Sequence, residues 1–83
     1  MDITIRLGEK VVRKDVMGMY QTSDISFEIT EKDVPEDKVR EKTLALRLQV
    51  KKFIVNTKLS EGLISTEQGM AELKPYQDSV NVK

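Results

Sequence analysis

Val34 to Ser60, VPEDKVREKTLALRLQVKKFIVNTKLS, decides the fold. At about 100° per residue, Val39, Thr43, Leu46, Val50, Phe53 and Thr57 fall on one seam of a helix, with Ile54 at its edge. Leu44, Leu48, Val55 and Leu59 line up on roughly the reverse side. A helix that packs only on its own sheet needs one apolar stripe, so the second must meet another layer of the fold or another chain.

The start of this helix is marked by acids. Asp33 as N-cap with Glu36 three residues on has the spacing of a capping box, and Pro35 and Asp37 suit a first turn at the positive end of the helix dipole. Gly62 supplies a stop. Beyond it, Ser65 and Gln68 repeat the capping-box spacing, which predicts a short second helix over about 66–74, limited by Pro75. That helix, carrying Met70, Ala71 and Leu73, is one candidate cover for the reverse seam. A second chain is the other.

Upstream, Ile3, Ile5 and Leu7 alternate with Thr4 and Arg6, and Ile25, Phe27 and Ile29 alternate with Ser26, Glu28 and Thr30. Period two with one polar face predicts antiparallel strands covered on one side. Gly8-Glu9 reads as a turn and Lys10 to Arg13 as a return strand, so the sheet is expected as a small meander over about 2–30. Lys14 to Ser23 has no clear period and reads as an irregular connection or a strand extension. The expected architecture is α+β: the meander on the long helix (about 34–60), then the short helix. One domain spans 1–75, with 76–83 as a loose tail.

With 83 residues, two Phe, two Tyr and no Trp, the core is small and aliphatic, and burial against a second subunit would add the missing area. A homo-oligomer, in the simplest case a homodimer, is expected, with Leu44, Leu48, Val55 and Leu59 as its interface. The formal net charge of zero points to neither a general nucleic-acid binder nor an acidic mimic. The charges are nonetheless segregated. From Asp24 to Asp37 six acids face Lys32 alone, and from Lys38 to Lys58 seven bases face Glu41 alone.

The absence of His and Cys removes the commonest general base, the soft metal ligands and the thiol nucleophile. The four glycines form no phosphate loop, and Asp33, Glu36 and Asp37 are explained by the helix terminus. No catalytic, cofactor or metal site is therefore expected. Absence of cysteine, of a signal-peptide pattern and of a long apolar run fits a soluble cytoplasmic protein with no membrane segment.

The reading is a non-enzymatic protein-interaction module, homo-oligomeric, in an accessory or regulatory role. Small size, charged helices and missing catalytic types also suit the accessory proteins of phages and mobile elements. The alternative is a dimeric nucleic-acid binder that lays the helix stripe Arg40, Arg47, Lys51 and Lys58 along a phosphate backbone.

Overall fold

The computed structural model describes residues 1–14 and 16–81, the last without its side chain. Two antiparallel strands, β1 (Ile3–Lys14) and β2 (Tyr20–Glu31), precede a 3-10 turn (Glu36–Lys38), the long helix α1 (Val39–Ser60) and the helix α2 (Thr66–Asn81). The fold is α+β, with the hairpin packed on α1 and α2 packed on α1 from another side.

The hairpin is one continuous ladder of twelve residue pairs, from Ile3 opposite Glu31 to Lys14 opposite Tyr20. The turn expected at Gly8-Glu9 does not form. Gly8 sits in the ladder opposite Ser26, and the chain reverses beyond Lys14, where Gly18 adopts φ 82°. A left-handed residue at the reversal is inexpensive only for glycine, and its position sets the register of everything behind it. The segment 14–23 therefore divides between the ends of both strands and the turn. The sheet has two long strands rather than several short ones.

Alternation then sorts the side chains. Ile3, Ile5, Leu7 and Val11 from β1 and Ile25, Phe27 and Ile29 from β2 turn toward α1. They meet Leu46, Val50 and Ile54, with Val34, Val39 and Leu63 closing the two ends. Val50 and Ile54 have no exposed surface, and burying each contributes about 1.5–3 kcal/mol. Phe53, expected on the sheet-facing seam, lies at its rim: it is 44% exposed and stacks on Phe27 with ring centroids 5.6 Å apart.

The entry to α1 differs from the expected capping box. Asp33 takes φ 59° and its N–H donates to Asp2 Oδ1 at 3.1 Å. That bend turns Val34 inward, buried against Ile3 and Leu46, while its backbone exchanges hydrogen bonds with Met1. Burial of Val34 thus takes the place of a side-chain cap, and α1 begins only after the 3-10 turn.

The exit matches its signal. Leu63 N–H donates to the Lys58 carbonyl at 2.9 Å and Gly62 N–H to the Leu59 carbonyl at 3.1 Å, with Gly62 at φ 70°. This is the Schellman pattern. Its hydrophobic partner is in place, because Leu63 packs on the Val50–Ile54 cluster.

The second capping box forms as read. Ser65 N–H donates to Gln68 Oε1 at 2.9 Å and Gln68 N–H to Ser65 Oγ at 3.2 Å. From there α2 runs through Pro75 to Asn81, so residues 76–81, expected in a tail, are helical, and residues 82 and 83 lie outside the described residues. Proline removes one ladder bond, and contacts of Tyr76 with α1 hold the turn that follows.

Candidate functional site

Two features stand out: a ring of four charges where β1, α1 and α2 meet, and the outer half of the hairpin. The ring begins with Glu9. It is the one acid in the inward parity of β1, between Leu7 and Val11, and it points at the flank of α1. There Lys51 and Lys58, seven residues or two helical turns apart, stand one above the other, and Glu72 of α2 closes the ring.

Lys51 Nζ donates to Glu9 Oε1 at 2.9 Å and to Glu72 Oε1 at 3.2 Å. Lys58 Nζ donates to Glu72 Oε1 at 2.6 Å and lies 3.1 Å from Glu9 Oε2, an ion-pair contact without hydrogen-bond alignment. Both lysine side chains are only 8% exposed. Burial by itself would push the Glu9 and Glu72 carboxyls up, but the ammonium groups of Lys51 and Lys58 beside them outweigh it and hold both below their ordinary range. Burial likewise opposes the Lys58 charge, and the two carboxylates overcome it and raise its pKa. Two acids and two bases cancel, so the ring is a closed structural clamp with no spare charge.

This geometry revises the basic stripe. Lys51 and Lys58 are consumed by Glu9 and Glu72 and cannot neutralise phosphates while α2 is in place. Arg47 is exposed but its guanidinium stands 5.6 Å from the centre of the Tyr76 ring, and Lys51 Nζ lies 5.8 Å from it. Arg40 alone of the four is exposed without a contact to α2 among those described. α2 therefore lies along the Arg47, Lys51 and Lys58 part of the stripe.

The outer end of the reverse seam, around Val55 and Leu59, is covered in the same way. A Cβ on Gly69 would come within 2.9 Å of Val55 Cγ1 and 3.5 Å of Leu59, so α2 approaches α1 closely there, and Val55 is 1% exposed. Leu44 lines a groove with Arg47, Pro75, Tyr76 and Ser79, and Leu48 is half-buried. Of the two covers expected for the Leu44, Leu48, Val55 and Leu59 seam, α2 of the same chain lies on the part around Val55 and Leu59.

The outer hairpin is the reverse case. Beyond Val11 and Ser23 the ladder continues past the end of the core, and every described residue from Val12 to Thr22 is exposed. Val12, Val16, Met17, Met19 and Tyr20 put apolar surface into solvent there, beside Lys10, Arg13 and Lys14. The signal was in the sequence: a glycine turn at Gly18 with apolar neighbours, read as irregular because its flanks lack a one-sided period.

Among the described residues no group of three or more acids, histidines or cysteines converges as a metal would require, and no helix is long and apolar enough to cross a membrane. Comparison with protein-family models, curated proteins and solved structures finds no match to this chain.

Proposed function

We propose that this chain is a small non-enzymatic interaction module that docks on a protein partner through its projecting hairpin, in an accessory or regulatory role. The observation that carries this reading is surface left uncovered by an otherwise self-contained fold. A compact monomer of this mass has about 5,000 Å² of accessible surface, whereas this chain has 6298 Å². Its radius of gyration is 15.4 Å, against about 12 Å for a compact chain of this length. Stable interfaces take about 800 Å² from each partner, so the excess is large enough to serve one.

The apolar residues of the outer hairpin favour a protein surface over a phosphate backbone. Among the described residues of the outer hairpin Tyr20 is the one aromatic beside Lys10, Arg13 and Lys14, and Lys51 and Lys58 of the helix stripe are paired with Glu72 of α2. Catalysis has little to build on, because the buried carboxylates and ammonium groups are paired with one another. The test is a photo-crosslinking residue at Val16, which is fully exposed, with Lys74 on the outer side of α2 as control. Adducts to protein at position 16 and few at 74 are expected. Adducts to nucleic acid, or none at 16, would overturn the reading.

A further inference from the structure

The two-stranded sheet has two edges, and they differ. On β1, Arg6, Lys10 and Lys14 recur at every fourth residue on the outward face, with Arg13 between the last two. Two-fold antiparallel pairing of this edge with a copy of itself, centred on any residue from Ile5 to Lys14, places cations opposite or diagonal to one another, which is destabilising. Its inward flank carries the Glu9–Lys51–Lys58–Glu72 ring with α2 beyond it.

On β2 the charges are confined to the inner half, at Asp24, Glu28 and Glu31, and Tyr20-Gln21-Thr22-Ser23 carries none. The flank of this edge is apolar: Phe53 is 44% exposed over Phe27, and α2 lies away from it on the lysine side of α1. Charge is a common protection for an exposed strand edge. The outer part of β2 lacks it.

We infer that a second copy of this chain covers that edge, with β2 pairing antiparallel to β2 of its partner about a two-fold axis at Gln21. This rests on the reading of the hairpin as the docking element and names what it docks on. About that axis Tyr20 faces Thr22 of the second copy and Met19 faces Ser23, while Asp24 falls opposite Gly18, so no like charges meet. Registers centred from Ser23 inward bring Asp24 opposite or diagonal to Asp24 or Glu28 of the other copy and are disfavoured by repulsion, so the axis falls at the uncharged Gln21–Thr22 pair or outside it. The same axis carries the turn of each copy, with its exposed Val16, alongside the Phe27–Phe53 stack of the other. The result is a four-stranded sheet, β1-β2-β2-β1, whose helices sit on one face at opposite ends. The interface is isologous, as a closed dimer requires, and zero net charge leaves no overall repulsion between copies.

The experiment is sedimentation equilibrium and light scattering on the full chain, the double variant Gln21→Lys/Thr22→Lys, the double variant Gln21→Glu/Thr22→Glu, and an equimolar mixture of the two variants. Wild type should be a dimer, each variant should weaken dimerisation about tenfold or more, and the mixture should regain it. Circular dichroism checks that each variant is folded. If one is not, concentration-dependent amide protection of Tyr20 to Ser23 in the wild type reads the same edge. A monomeric wild type, a dimer indifferent to both variants, or a mixture that stays monomeric would overturn the proposal. A monomer that still gives protein adducts from Val16 would remove the second copy as occupant and leave the docking reading standing.

Discussion

The inner and outer halves of the hairpin share one ladder and one alternation, yet only the inner half belongs to the core. From Ile3 to Val11 and Ser23 to Glu31 the inward side chains meet Leu46, Val50 and Ile54 on α1. From Val12 to Lys14 and from Tyr20 to Thr22 the backbone pairing continues with every side chain exposed. Hydrogen bonding thus sets how long the strands are, and the length of α1 sets how much of them is stabilised by burial. Exchange of ladder pairing for water is nearly neutral, whereas each buried aliphatic side chain contributes kilocalories.

The largest test of that division is truncation on the two halves. Ile54→Ala, at a site with no exposed surface, should lower the unfolding free energy by about 2–5 kcal/mol. Val12→Ala on the outer half should change it by less than about 0.5 kcal/mol. Urea titrations compare the two, and equal losses would mean that the outer hairpin is packed in the monomer.

Next is the ring. Lys58→Met leaves Glu9 and Glu72 facing each other beside one lysine, and a loss of about 2–3 kcal/mol is expected, below the usual range for a fully buried pair because the acids keep about a third of their exposure. Thermal denaturation with a Lys58→Met/Glu72→Leu double variant measures the coupling. Recovery of most of the loss in the double variant is the expected outcome.

The ring also gives the inner half a pH dependence. The folded-state pKa values of Glu9 and Glu72 are lowered, so their contribution is full above the ordinary carboxylate range and is lost as pH falls through and below it. The folded-state value of Lys58 is raised, so its contribution is full below the ordinary lysine pKa and is lost only as pH rises through the raised value. Stability should therefore be flat near neutrality and fall on the acid side, less steeply in Glu72→Gln. An acid limb unchanged in that variant would show that other carboxylates govern it.

The smallest effect is at the turn between the helices. Gly62→Ala places a side chain at φ 70°, with open space around it, so the loss should be conformational alone, about 1 kcal/mol. A loss several times larger would mean that the Schellman turn also positions Leu63 in the core.

Glu9 illustrates why the site was only half legible. An acid in the apolar parity of a strand is visible as an exception to the alternation, and the gap at Lys51 in the Leu44–Leu48–Val55–Leu59 seam is visible as an exception to the stripe. Neither exception names the other. Their pairing depends on the strand running through Gly8 and on the angle at which the Gly62 turn returns the chain to bring Glu72 alongside, both of which are settled by packing.

By itself the sequence determined what short-range chemistry controls: α+β class, an antiparallel sheet, the long helix and its glycine stop, the Ser65–Gln68 capping box, and two apolar seams on one helix. These follow from periodicity and from bonds made within a few residues. The tertiary structure decided which hairpin turn forms, how far α2 runs, and which surface each face of α1 meets. It decided too that Lys51 and Lys58 of the basic stripe belong to a buried clamp and that the outer hairpin is the exposed element. Those outcomes depend on contacts between residues far apart in the chain, such as Glu9 with Lys51 and Val55 with Gly69. Their free energy exists only once the elements are brought together.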